Sequence, residues 1–318
     1  MKPIISVTSY KNIKAVTIEN EQLIAQFLPD YGGKMASLIQ KKTAREFLVQ
    51  APNELYRVLE YDGDYVDAEC SGFDDMFPTI DKVYYPEYPW KGVEIPDHGE
   101  VCGLRWDYEI RADCLYMAVN GVRFPYKLEK WIKFAPSGKL NISYKATNLS
   151  NYAFDFLWAA HPMINAEAGG DILVPYQGQQ EVITMFSTDG KLGQYGDQIA
   201  WPNFVCKDKS KLNLATLEGN SERKLAYKYY FKDKIPEGWC AYRYKSDGTT
   251  LKLSFPEAEV PYLGVWINEG DFKGFNNLAL EMCTGSLDRP DVAKRFGQNS
   301  VLPANGEYAW YLDFEVTE

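Results

Sequence analysis

Histidine is scarce in this sequence: of 318 residues only two, His98 and His161, carry an imidazole. The six cysteines, Cys70, Cys102, Cys114, Cys206, Cys240 and Cys283, form no C-x-x-C pair, which argues against a zinc ribbon or a dithiol redox site. They read as reduced, small core residues of a cytoplasmic protein. No apolar run reaches the length of a membrane span. The start, Met1-Lys2-Pro3-Ile4-Ile5, lacks the apolar stretch and cleavage site of a secretory signal. No cluster of Lys and Arg suggests a basic groove or a membrane-surface helix. The net charge of -10 and a pI near 5.0 would repel a phosphate polyanion, so neither nucleic acid nor membrane is an expected partner. Internal repeats, low-complexity tracts and linkers are also missing. The expectation is one domain over residues 1–318.

What the chain has in abundance is aromatic residues, 15% with 23 Tyr, and these favour strands and cross-strand pairs. Short alternating runs recur along the sequence. Residues 15–19 and 22–28 flank a polar turn and predict a hairpin. Residues 127–134 and 139–146 alternate with period two around Pro136-Ser137-Gly138 and predict a half-buried antiparallel meander. The stretch 153–159 is more continuously apolar and predicts a central strand covered on both faces. Residues 165–224, rich in Gly, Asp, Asn and Gln, read as loops with short strands such as 171–174. Strand character resumes at 225–231, 240–244, 250–255, 262–267 and 277–283, and closes the chain at 307–316. The one helix candidate is 289–296, with Asp288 as its cap and Pro290 in its first turn. This pattern predicts an all-β fold, a large antiparallel β-sandwich.

Three residues stand out chemically. His161 ends the apolar run Phe156-Leu157-Trp158-Ala159-Ala160 and is locked in front of Pro162. His98 lies in Pro96-Asp97-His98-Gly99-Glu100, among turn residues and carboxylates. Histidine is the side chain most easily poised to exchange a proton near neutral pH, although one at a strand end can equally be a hydrogen-bonded core residue. Residues 50–100 have little periodicity but much apolar content, and so read as ordered loops lining a site. Glu281 sits between Leu280 and Met282 in an apolar strand. Pointed into a cleft it would be partly desolvated and a better base near neutral pH; pointed outward it would be an ordinary solvated or ion-paired carboxylate.

At this point the sequence resembles the aldose 1-epimerase (galactose mutarotase) family. The blocks that carry the resemblance are Leu28-Pro29-Asp30-Tyr31-Gly32-Gly33-Lys34-Met35, Gly72-Phe73-Asp74-Asp75-Met76-Phe77-Pro78-Thr79, Asp97-His98-Gly99, Trp158-Ala159-Ala160-His161-Pro162, Leu263-Gly264-Val265-Trp266-Ile267-Asn268 and Leu280-Glu281-Met282-Cys283-Thr284-Gly285. They occur in the family's order and span most of the chain. The resemblance implies a galactose mutarotase-like supersandwich and an isomerase that needs no cofactor or metal. Its partner would be a small-molecule sugar, bound by a monomer or a homodimer. It places His98 on the histidine that polarises the sugar near the ring oxygen, His161 on the general acid and Glu281 on the general base. As an imidazolium, His161 would donate to the ring oxygen while Glu281 takes the anomeric proton. Trp158 and Trp266 are each candidates to stack on the sugar, and equally candidates for core packing.

The family's arginine and aspartate, which hold sugar hydroxyls, have no clear counterparts here. Asp74 and Asp75 occupy the region of the first, and Glu269 and Asp271 are the candidates for the second. Three other readings share these residues. One is a sugar-binding protein without catalysis on the same fold. A second is a hexose-6-phosphate epimerase, which would need a cationic clamp from Arg105, Arg123 or Arg243. A third is a metal site built from His98, His161 and Glu281.

Overall fold

The computed structural model describes residues 3–318. Two large antiparallel sheets dominate, one of twelve strands and one of eight. Period-two patterning explains the smaller sheet directly. Strand Leu140–Asn148 alternates buried and half-buried residues along its whole length. It pairs with Tyr126–Phe134 on one side and with the closing strand Glu307–Thr317 on the other. Its inward residues Leu140, Ile142 and Tyr144 join Leu251, Leu253, Leu312 and Phe314 in one apolar core. The larger sheet supplies Phe27, Leu38, Ala160, Leu280 and Met282 to the same core. The rings of Phe73 and Phe314, one from each sheet, lie 5.6 Å apart. Face-to-face packing of this kind is what a sandwich requires.

The larger sheet is buried on both faces at its centre, because loops cover the face turned away from the sandwich. Strands Phe73–Met76, Ala159–Asn165, Asn276–Cys283, Tyr262–Glu269 and Leu225–Phe231 lie side by side there in that order. Every residue of Leu225–Phe231 is buried, and so is every residue of Asn276–Cys283 after the first. This explains the continuous apolar runs read from sequence.

Several expectations need correction. The stretch 153–159 is not one strand. Phe154–Phe156 pairs with Ser300–Leu302 in a separate ribbon, and the central strand begins at Ala159. His161 therefore lies inside a strand, not at its end. Pro162 is tolerated there because of a gap in the ladder. Ala159 pairs with Cys283 and Met163 with Ala279, while the positions between them are unpaired on that side. A residue without an N–H removes no ladder bond at such a place.

The loop-rich region 165–224 also holds an eight-residue strand, Gln180–Ser187, which pairs with Leu225–Phe231 through a register shift between Thr184 and Phe186. The helix is present as Pro290–Arg295, but its cap residue is Arg289 and no side chain caps it. Asp288 is engaged elsewhere, as described below. All six cysteines are buried and free. Among the described residues, no helix is long and apolar enough to cross a membrane.

Candidate active site

The unpaired stretch of the ladder determines the geometry. The register that joins Ala159 to Cys283 and Met163 to Ala279 sets His161 directly opposite Glu281. Opposed residues on neighbouring antiparallel strands project from the same face. His161 Nε2 accordingly stands 3.9 Å from Glu281 Oε1. The face they share is the one turned away from the sandwich core, and it opens into a cavity of about 210 Å³. His98, Trp266, Tyr65, Met163, Phe186 and Lys228 contribute to its lining, with Asp81 and Asp288.

His98 arrives from the irregular segment 50–100. Its backbone is left-handed at φ 61°, and Gly99 follows at φ 76°. A side chain on Gly99 would lie 2.4 Å from the carbonyl oxygen of Phe77, so only glycine fits. Left-handed backbone is uncommon outside glycine and costs of order 1–2 kcal/mol. The amide of His98 donates to the carbonyl of Ile80 and helps hold the turn. Its Nδ1 lies 2.7 Å from Asp97. Its ring stacks on that of Tyr65, 3.9 Å between centroids and 6° between planes, and meets His161 edge to face at 5.8 Å.

Lys228 and Asp288 complete the site, and the sequence reading singled out neither as a site residue. Lys228 Nζ lies 2.6 Å from Glu281 and 2.8 Å from Asp288. Asp288 also accepts the Tyr230 hydroxyl at 2.7 Å, which is why it is not free to cap the helix. A signal was available. Lys228 is the lone cation in a strand that is otherwise apolar, and a buried lysine needs carboxylate partners.

Burial is the largest influence on each of the ionisable groups His161, Glu281 and Lys228. Burial first, and then the neighbouring His98, Lys228 and Lys34, hold the His161 imidazole well below its usual pKa. Burial also pushes the Glu281 carboxyl up to about 7, with Lys228 pulling it down and Asp288 pushing it up. Burial works against the Lys228 charge, but Asp288 and Glu281 outweigh it and hold the ammonium above its ordinary pKa. Burial thus weighs against charge on both members of the opposed pair, His161 and Glu281. His161 is only 6% exposed, and the charge that pairs most closely with Glu281 belongs to Lys228, at 2.6 Å.

The remaining candidates divide. Trp266 lines the cavity, 5.9 Å from the His161 ring. Asp74 pairs opposite His161 on the same face. It lies behind Tyr65, whose hydroxyl it accepts at 2.7 Å, and not against the cavity. Asp75 points the other way, as alternate strand residues must. It accepts Lys130 at 2.8 Å and the Trp158 indole at 3.0 Å. Trp158 is fully buried against Tyr144 and Trp310 and presents no face to a ligand. Glu269 is buried too, accepting the Gly219 amide at 2.7 Å and pairing with Arg223. Asp75, Trp158 and Glu269 are thus structural residues of the folded chain. Among the described residues, no three His, Cys, Asp or Glu side chains converge closely enough to hold a metal ion.

Comparison with known proteins agrees with this architecture. No protein-family model matches the chain, and no curated protein matches it in sequence. Solved structures do match in fold. The Slr1438 protein of Synechocystis sp. PCC 6803 aligns over 100% of this chain and 96% of its own, with a TM-score of 0.69 and 15% identity. A galactose mutarotase-like protein from Lactobacillus casei aligns over 95% and 100%, with 0.67 and 17%. A galactose mutarotase related enzyme from Lactobacillus acidophilus aligns over 96% and 97%, with 0.67 and 14%. The chain has the galactose mutarotase-like fold, an all-β supersandwich.

Proposed function

We propose that this protein is an aldose 1-epimerase, interconverting the α and β anomers of a free sugar through its open-chain aldehyde. The observation that carries the reading is the opposition of His161 Nε2 and Glu281 Oε1 at 3.9 Å on one wall of a cavity. Anomer exchange moves protons at two oxygens, the anomeric hydroxyl and the ring oxygen, and both are bonded to the same carbon. An acid and a base that reach them must therefore lie close together, and need not flank the ring. The couple must hold one proton between them, so that one member gives while the other takes. The Glu281 carboxyl, raised by burial to about 7, supports this: it exchanges its proton in the neutral range. His98, Trp266 and Tyr65 supply polar and aromatic walls suited to a sugar ring.

A neutral sugar fits the charges better than a phosphorylated one. The two buried ammonium groups nearest the couple are already neutralised, Lys228 by Glu281 and Asp288, and Lys34 by Asp74. Arg105, Arg123 and Arg243 are tied to Asp30, Asp62 and Asp171 and do not line the cavity. Polarimetry on freshly dissolved α-glucose, α-galactose and a panel of other aldoses tests the proposal. Acceleration over buffer is expected. Glu281→Gln and His161→Asn should each lose about 10²–10⁴-fold in rate. Saturable sugar binding by calorimetry with no acceleration for any aldose would replace catalysis by binding alone.

A further inference from the structure

Lys228 brings into the cavity a donor that the proposed reaction does not yet use. Apart from the two histidines it is the only basic residue in the lining, which includes no arginine. Its Nζ stands 2.6 Å from Glu281 Oε2 and 2.8 Å from Asp288 Oδ1, and the residue is 6% exposed. Asp288 is itself held by the Tyr230 hydroxyl at 2.7 Å. An ammonium has three hydrogens to donate. Among the described residues Glu281 and Asp288 are the only polar partners of Nζ, so at least one N–H has no protein acceptor. A buried donor left without a partner is costly, and one on a cavity wall can be satisfied by whatever the cavity takes up.

The sheet decides where this donor lies relative to the couple. Strands Ala159–Asn165, Asn276–Cys283, Tyr262–Glu269 and Leu225–Phe231 follow one another in that order. His161 is on the first, Glu281 on the second and Lys228 on the fourth. The third places Gly264 opposite both Glu281 and Tyr230. That position has no side chain to stand between Lys228 and the carboxylate, and a Cβ there would lie 3.0 Å from the Tyr230 ring. Glu281 is therefore flanked across the sheet by His161 on one side and by the Lys228 ammonium on the other. Its two oxygens divide accordingly. Oε1 is the one 3.9 Å from His161 Nε2, and Oε2 is the one beside Lys228.

An aldose presents its atoms in the same order. On the epimerase reading His161 serves the ring oxygen O5 and Glu281 the anomeric oxygen O1, both bonded to C1. The remaining heavy-atom neighbour of C1 is C2, whose hydroxyl lies next to O1 on the side away from O5. With O5 toward His161 and O1 at Glu281, the C2 hydroxyl falls toward Lys228. We propose that Lys228 is a substrate-binding residue that donates to the C2 hydroxyl oxygen, so that the site selects aldoses bearing a hydroxyl at C2. The assignment rests on the epimerase reading, which orients the ring. The Lys228 charge is already met by two carboxylates, so the free N–H suits a neutral hydroxyl better than an anion.

Polarimetry on D-glucose, 2-deoxy-D-glucose and 3-deoxy-D-glucose, and on the same series of galactose, tests this, with each rate divided by the spontaneous rate of that sugar. Loss of a hydrogen bond to a charged group predicts that kcat/KM for the 2-deoxy sugar falls about 10–100-fold below its parent in the native protein. In Lys228→Met that preference should shrink to about twofold or less, while the ratio of parent to 3-deoxy sugar keeps its native value. A ratio is the right readout because the variant also alters Glu281, which changes the rates of all the sugars together. Equal use of parent and 2-deoxy sugar by the native protein overturns the proposal without any variant, and so does a preference that survives in folded Lys228→Met. If no aldose is turned over, the epimerase reading fails. Calorimetry on the same sugars then decides the contact by itself, and a 2-deoxy sugar bound as tightly as its parent overturns it.

Discussion

Replacing Lys228 by methionine tests how the site is held together. The side chains are similar in volume, so the main change is the loss of one buried positive charge. That charge sits 2.6 Å from Glu281 and 2.8 Å from Asp288, at 6% exposure. Removing one partner from a buried ion pair costs about 3–5 kcal/mol, because the other partner stays buried and uncompensated. For 318 residues, an unfolding entropy of about 2.1 cal/mol/K per residue turns this into a fall of about 5–7 °C in Tm.

The pH dependence of the loss is more diagnostic than its size. In the native protein Glu281 has a pKa near 7 against an ordinary 4.5. Its contribution to stability is therefore full below 4.5 and is lost as pH rises through 7. Lys228 pulls this pKa down, so in the variant it lies higher still. Below pH 7 Glu281 is protonated in both folded proteins, and the gap between them stays constant. Above pH 7 the native protein has finished titrating, while the variant continues to lose up to about 1.4 kcal/mol per pH unit. Denaturant melts at pH 6, 7, 8 and 9 measure this. A gap that does not widen above pH 7 would refute the claim that Lys228 supports the Glu281 charge.

Two other substitutions separate scaffold from site. Lys130→Met removes the partner of Asp75, together with a cation 4.5 Å above the Trp106 ring. It should cost about 3–5 kcal/mol in denaturant melts and leave the turnover of folded protein unchanged, since Asp75 faces away from the cavity. Trp266→Ala should raise the KM for the sugar about fivefold, about 1 kcal/mol of lost aromatic contact, with kcat little affected; initial rates over a substrate range check this.

The fold was legible because it rests on local pattern. The alternation in residues 139–146 became the strand Leu140–Asn148 with one face in the core, and apolar runs such as 277–283 became strands covered on both faces. Glu281 stood out for the same reason, as a carboxylate inside such a run, but only the cover on both faces of the strand makes it buried. The strand Gln180–Ser187 was missed because its polar residues belong to a sheet edge region whose partner, Leu225–Phe231, lies far along the chain. Trp158 and Glu269 were misjudged because residue type does not reveal which face of a strand a side chain takes. A shift of one position exchanges core for cavity.

The sequence by itself singled out His98, His161 and Glu281 as the candidates for proton chemistry, since histidine is so scarce and the glutamate so embedded. Tertiary structure decided what they meet. The register between two strands more than a hundred residues apart sets His161 opposite Glu281. The same sheet brings Lys228 and the helix-flanking Asp288 against the glutamate, and a loop lays Tyr65 between His98, His161 and Asp74. Protonation follows from these contacts and from burial. A pattern along the chain can say that an imidazole is present, but only its surroundings in space fix the proton it holds.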